Sequence, residues 1–371
     1  MITNRRTVLG SAGAALAMSM SGTATARMLA KQGGRKLGYA VVGLGYYATH
    51  QIMPYFKDCE FAKLTALVSG TPEKLERYGT EYGILRTHRY DYRSYDRMRD
   101  NPDIDIVYVV LPNGMHAEYT IRAAQAGKHV MCEKPMANTS AECRAMIAAC
   151  QAADRKLMIG YRSRFEPYNK LAIELARSGH VGPTREIYAA HGFPISPNQW
   201  RLNRELSGGG SMMDIGIYSL NAARYLTGEE PTFVSATEST DRSDPRFATV
   251  EDRVNWEMIF PSGILASCIS SYSSAHNQYR VTGTEGFIDM DPATPYEGQA
   301  MQIRKDGVTA PRVLPAPPKN QFVGQLDHLA ECVLTGATPI VPGEEGLRDL
   351  LAIEAIYESA REGRRVAVAI V

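Results

Sequence analysis

Leu37-Gly-Tyr-Ala-Val-Val-Gly-Leu-Gly-Tyr-Tyr-Ala48 is the stretch on which the reading of this chain turns. Its first half is an apolar, β-rich run; its second half is a glycine turn, Gly43-x-Gly45-x-x-Ala48, which enters a helical stretch over 49–57. Strand, glycine turn and helix in that order bring backbone N–H groups and a helix N-terminus to a pyrophosphate, with Gly43, Gly45, Tyr46 and Tyr47 in reach of it. One such turn is a weak signal by itself.

The units on its C-terminal side strengthen it. Residues 63–68, 104–111, 129–132 and 157–161 read as strands, and 115–126, 140–153 and 165–178 as helices. That alternation predicts a doubly wound parallel sheet, with ligands outside the carboxyl ends of its strands. At the end of the second strand an NAD site would carry Asp or Glu for the ribose 2′-hydroxyl. Here Ser69 and then Lys74 follow instead, which suits a 2′-phosphate, although an isolated lysine is usually only a solvated helix residue. Two further strand ends carry Pro112-Asn113 with His116, and Glu133-Lys134-Pro135. Lys134, with its backbone fixed before a proline, either aims an ammonium into the cleft or simply occupies a turn.

Beyond 178 the pattern changes to short alternating segments at 184–191, 232–240, 253–260, 264–272, 279–282 and 287–290, separated by Gly, Pro or Ser. They suit an open antiparallel sheet with one covered face. Helices over 321–335 and 344–362 close the chain, and the Pro-rich piece 311–319 reads as an extended surface crossing. Between the first segments of this half stands Ser207-Gly-Gly-Gly-Ser-Met-Met-Asp-Ile-Gly-Ile-Tyr218. Three glycines allow close approach to a ligand, Ser211 is placed to cap a helix, and Asp214 and Tyr218 share one helix face. A carboxylate beside a phenol suits proton transfer; Ser211-x-x-Asp214 is equally the spacing of a capping box, with Tyr218 an ordinary half-buried aromatic.

At 371 residues the chain predicts two domains, 37–160 and 161–371. A net charge of +1 with no basic stripe argues against nucleic acid or an anionic membrane surface as partner and leaves a small molecule. Arg5-Arg6, the apolar run 8–20 and Ala24-Thr25-Ala26 stand in the order of an export signal of the twin-arginine type over 1–26, and the run is too short to span a bilayer. The expected location is the periplasm. The six cysteines form no Cys-x-x-Cys pair, so buried thiols are expected and no metal site; Cys143 and Cys150 have core spacing on a helix.

Gly43-x-Gly45-x-x-Ala48, Glu133-Lys134-Pro135 and Gly208-Gly-Gly-Ser-Met-Met-Asp214-Ile-Gly-Ile-Tyr218, in that order, resemble the glucose–fructose oxidoreductase, inositol dehydrogenase and MocA family. Val-Ser69-Gly-x-x-Glu-Lys74, Gln199-Trp-Arg-Leu-x-Arg-Glu-Leu, Met290-Asp-Pro-Ala-Thr and Gln325-Leu-Asp-His-Leu-Ala-Glu are similar to its glucose–fructose and aldose–aldose oxidoreductase branch, as is a tyrosine at 218 where many members have histidine. The resemblance implies a Rossmann domain, an open antiparallel-sheet substrate domain, tightly held NADP and a homo-oligomer paired through the sheet. It also implies that Lys134, Asp214 and Tyr218 are catalytic, that Ser69 and Lys74 contact the 2′-phosphate, that Trp200 and Arg201 lie near the adenine, and that Tyr161 and Arg162 lie in the substrate cleft; Pro112, Asn113, His116 and Glu133 fall among the cofactor contacts. The branch carries a long Pro-rich arm that wraps a neighbour's cofactor, whereas only residues 27–36 stand here between the leader and the first strand.

The implied reaction oxidises an aldose at C1 to the aldonolactone and reduces a second sugar to the alditol without exchange of NADP. The competing expectations are a sugar or polyol dehydrogenase that releases its cofactor, an NADP-binding sensor and an exported glycan-binding scaffold.

Overall fold

The computed structural model describes residues 34–314 and 320–371. The expected leader, most of the short arm and 315–319 of the Pro-rich piece lie outside the described residues.

The first sheet contains β1 (Leu37–Val42), β2 (Ala62–Val68), β3 (Arg89–Tyr90), β4 (Ile106–Val109), β5 (His129–Cys132) and β6 (Leu157–Ile159), in the order β3-β2-β1-β4-β5-β6. All its pairs are parallel. Every residue of β1 is buried, as expected of a strand covered on both faces. The strand order reverses between β1 and β4, which opens a crevice at their carboxyl ends.

The stretch after the glycine turn is helical but not α-helical. It begins as a π turn, Ala48–Ile52, and tightens into a 3-10 turn, Met53–Asp58. Pro54 has no N–H with which to continue an α ladder.

The second sheet contains β7 (Thr184–Gly192), β8 (Phe233–Ser239), β9 (Arg253–Ile259), β10 (Leu265–Ser271), β11 (His276–Gly283), β12 (Gly286–Met290), β13 (Met301–Lys305), β14 (Val308–Arg312) and β15 (Val366–Ala367), in the order β14-β13-β12-β11-β7-β10-β9-β8-β15. It is mixed: β7 and β10 are parallel, and the other pairs are antiparallel. The parallel pair arises because the chain leaves β7 through the helix Ile217–Thr227 and returns by way of β8 and β9, a crossover that no hairpin could replace. Pro311 and Arg312, expected in an extended crossing, belong to the fully exposed edge strand β14, where a proline is tolerated.

Two C-terminal helices tie the sheets together. From Gln321–Thr335, the Leu326 carbonyl accepts the Tyr39 hydroxyl at 2.7 Å, Asp327 accepts the Phe61 N–H at 2.8 Å, and Gln325 Nε2 donates to the Tyr108 hydroxyl at 2.8 Å. Gly343–Glu362 meets the first domain where Ser140 Oγ donates to Glu354 at 2.8 Å and the second where the Ala236 N–H donates to Ser359 Oγ at 2.9 Å. All six cysteines are buried as thiols.

Candidate active site

Gly43 turns the chain out of β1 with φ +94°, and a Cβ there would lie 2.3 Å from the Val110 carbonyl oxygen, so the strand end has room only for glycine. At Gly45 a Cβ would meet nothing within 4 Å. The second glycine therefore faces open space, as a turn that admits a pyrophosphate requires. Tyr46 is exposed and stacks on His50 at 4.3 Å, while the Tyr47 ring turns inward, 6.1 Å from those of Tyr296 and Phe322. At the end of β2, buried Ser69 accepts from the Thr71 N–H, and Lys74 Nζ donates to the Leu44 carbonyl at 3.0 Å. Lys74, an exposed residue of the helix Pro72–Glu81, thus bridges to the glycine turn. An open glycine turn with a hydroxyl and an ammonium beside it, and no carboxylate at the end of β2, fits a phosphorylated dinucleotide.

The second cluster forms around Lys134, beyond the end of β5. Its Nζ donates to the Asp214 carbonyl at 2.7 Å, lies 3.7 Å from Asp214 Oδ1 and stands 4.8 Å from the Tyr218 ring centre. Arg162 Cζ is 5.1 Å from the same Tyr218 ring and 4.8 Å from that of Tyr296. Arg162 is fixed there by the Thr294 carbonyl at 2.6 Å and Gln321 Oε1 at 2.8 Å. Tyr218 consequently has two cations against its ring.

Asp214 Oδ2 lies 2.9 Å from Arg201 Nε and accepts the Tyr272 hydroxyl at 3.1 Å. Burial works against its charged form, but the Arg201 and Lys134 charges and the Tyr272 hydrogen bond outweigh it and hold the carboxyl below the usual carboxylate range. Asp214 therefore stays ionised. Glu133 is different: burial pushes its carboxyl up to about 6, against the Tyr108 hydroxyl that donates to it and the Lys134 charge.

Several expectations need correction. Ser211 is not a helix cap, because its backbone is already helical and its hydroxyl pairs with Ser270 Oγ at 3.0 Å. The acceptor comes from far along the chain: Glu251 takes the N–H of Gly210 at 2.8 Å and of Met212 at 3.0 Å. The three glycines sit close against the protein itself. A Cβ at Gly209 would lie 2.1 Å from the Tyr357 hydroxyl, and one at Gly210 would lie 2.0 Å from the Glu251 carbonyl. Arg201, expected near the adenine, sits on Asp214 and covers the Trp200 ring at 4.7 Å.

His116 is wholly buried, with its ring nitrogens 2.9 Å from the Pro135 carbonyl and 2.8 Å from that of Leu111. It orders two strand ends and has no surface to offer a cofactor. Asn113, which follows Pro112, donates to the Ser207 carbonyl at 2.8 Å and joins the two domains. Tyr161 is buried with its hydroxyl on Asp349, so only its ring reaches a cavity wall beside Lys134, Arg162 and Tyr218. Sequence reasoning missed Tyr272, Glu251 and His191, whose buried ring lies 5.7 Å from that of Tyr218. No local spacing marks them.

Comparison with known proteins extends this geometry. Residues 37–161 match the oxidoreductase family GFO/IDH/MocA, NAD-binding Rossmann fold, and residues 178–368 match its C-terminal alpha/beta domain. The crystal structure of aldose-aldose oxidoreductase from Caulobacter crescentus, complexed with glycerol, is 65% identical in sequence with a TM-score of 0.88, over 90% of this chain and 100% of that one. A 3-ketoreductase from Actinomadura kijaniata in complex with TDP-benzene and NADP is 25% identical with a TM-score of 0.78, over 88% and 98% of the two chains. D-xylose 1-dehydrogenase [NADP(+)] of Haloarcula marismortui is 33% identical over 331 residues, 87% of this chain and 90% of that protein.

Proposed function

The chain belongs to the GFO/IDH/MocA oxidoreductase family, and from that premise we propose that it is an aldose oxidoreductase that keeps NADP bound and recycles it between two sugars. The observation that carries the reading is the Tyr218 phenol with the Lys134 and Arg162 cations both against its ring. Support comes from the 65% identity to an aldose-aldose oxidoreductase.

NADP, when bound, would supply a two-electron carrier for the hydrogen lost by the donor sugar and gained by the acceptor. Gly43, Gly45, Ser69 and Lys74 would hold its phosphates. Tyr218 takes the proton of the donor's C1 hydroxyl, and the product is the aldonolactone. An ammonium about 4 Å from a phenolate, at an effective ε of about 20, stabilises the anion by about 4 kcal/mol. Lys134 is suited to that role, and Arg162 adds to it. Asp214, kept anionic by Arg201, orients Lys134 and sugar hydroxyls and is not the base. In the return step Tyr218 gives the proton to the oxygen of the second sugar, which becomes the alditol.

The leader-like residues 1–26 support a periplasmic location, where retained NADP spares the enzyme a free pool. Exposed Tyr188, Phe233 and Leu265 on the second sheet support pairing of subunits through that face. The 33% identity to an NADP-dependent D-xylose 1-dehydrogenase supports the rival, a dehydrogenase that releases its cofactor.

One experiment separates them. Purified protein without added cofactor receives glucose, then a second sugar, while 340 nm absorbance, lactone and alditol are followed. A stoichiometric rise and then sustained turnover is expected; a response only after NADP⁺ is added establishes the dehydrogenase, and none at all overturns both. Tyr218→Phe is expected to lower kcat about 10³-fold with bound NADP unchanged; wild-type turnover in this variant removes Tyr218 from the mechanism.

A further inference from the structure

The cavity wall reached by the Tyr161 ring belongs to a space beside Tyr218. Lys134, Arg162 and Tyr218 form part of the wall of a chamber of about 30 Å³ that continues past Ser163 to Tyr225, and Asp214 has no share in it. This volume is too small for a sugar and sufficient for one or two water molecules. Three buried polar atoms of its lining residues, Arg162 Nε, Ser163 Oγ and the Tyr225 hydroxyl, have no hydrogen-bond partner in the protein. Folded proteins leave few such groups unpaired; dry cavities are apolar, and polar ones of this size hold ordered water. The lining also includes half-buried Arg164, Ile173 and Ala222, which lead toward the surface.

The other groups that face Tyr218 are poor carriers for its proton. Lys134 and Arg162 are cations with no acceptor site. Burial, with the charges of Arg162, His276 and Lys134, pushes His191 down to about 3. Burial raises Tyr47 above the usual phenol value and Tyr296 to about 12. Tyr218 can nevertheless take the C1 hydroxyl proton only after its own proton has left, while the sugar itself fills the cleft.

We propose that the chamber holds ordered water and is the route by which the Tyr218 proton exchanges with solvent while a sugar is bound. The inference rests on Tyr218 acting as the base. In the step, the Tyr218 O–H bond breaks, its proton passes to a chamber water and a proton leaves that water for the medium. No electrons move. The phenol O–H re-forms when the proton of the C1 hydroxyl arrives.

The first test needs no turnover: a high-resolution crystal structure of the protein with its cofactor. Expected is a water within hydrogen-bond distance of Ser163 Oγ and the Tyr225 hydroxyl; a dry chamber overturns the proposal. The second is kinetic. Protein is mixed with saturating glucose in H2O or in D2O, and the single-turnover rise at 340 nm is followed. Ala222→Leu, which fills the chamber, and Tyr225→Phe, which removes one of its hydroxyls, are expected to slow the rise at least tenfold and to enlarge its solvent isotope effect over that of the wild type. Wild-type rates and isotope effects in both variants overturn the route. Absence of any absorbance change with every aldose, in wild type and variants alike, overturns the enzyme reading instead, and the crystallographic water still decides whether the chamber is wet.

Discussion

The turns at residues 43–48 and 207–211 look alike in the sequence, and each runs into a π turn, Ala48–Ile52 after the first and Met212–Gly216 after the second. They differ in what the glycines meet. At the first turn the Cβ direction of Gly45 points into open space. At the second, Gly209 and Gly210 are pressed against the Tyr357 hydroxyl and the Glu251 backbone, and the Glu251 carboxylate caps the chain. One turn spends its missing side chains on room for a ligand, the other on close packing that fixes Asp214 and Tyr218. A glycine run marks close approach without saying to what; the partner of the neighbouring N–H groups settles the matter.

The largest effect that would sharpen this contrast is expected from Glu251→Ala. It leaves the N–H groups of Gly210 and Met212 and the Tyr357 hydroxyl without their acceptor, which should cost about 4 kcal/mol in denaturant unfolding. Gly210→Ala comes next, at about 3 kcal/mol, because its Cβ would press on backbone that cannot swing aside. If either variant unfolds like the wild type, the second turn is not a packed scaffold.

Glu133, which interacts with Tyr47 of the first turn, gives a pH signature. Its folded pKa of about 6 lies above the ordinary value, so its contribution to stability is complete below about pH 4.5 and is lost as pH rises through about 6. Across that window wild type should lose about 2 kcal/mol that Glu133→Gln does not, measured by denaturant unfolding at pH 4 to 8. Equal slopes in the two proteins would count against it. The smallest effect is Gly45→Ala, expected to leave stability within about 0.5 kcal/mol while weakening NADP about tenfold. A loss of stability without a loss of cofactor would reverse the assignment of the two turns.

The fold was legible where one element carries its own pattern. The buried run of β1, the glycine turn and the spaced helices of the first domain could be read, as could the alternating strands β7 to β12. The hairpin of β13 and β14 was missed although Asp306 and Gly307, both with positive φ, form a recognisable turn; the solvent-facing β14 gives no apolar alternation. In the site, Lys134, Asp214 and Tyr218 were found because each lies in a short motif, and the structure brings the three together. Arg201 on Asp214 and Glu251 beneath the second turn were not, and Arg162, placed in the cleft by the family resemblance, had no partner assigned to it. These partners are brought together by the folding of 161–371 on itself, and no local spacing along the chain records that. Ser211 shows the converse error, since its capping-box spacing is real but a distant carboxylate took the N–H groups first.

The hydrogen bond from Tyr39 to Leu326 spans 287 positions. During synthesis the first strand leaves the ribosome with its hydroxyl partner still untranslated, and the Tyr108 hydroxyl likewise waits for Gln325. Completion of the first domain is therefore timed by the arrival of the last helices and not by its own length. A chain stopped before residue 321 retains every strand of the first sheet and lacks the groups that meet the Tyr39 and Tyr108 hydroxyls from the last helices.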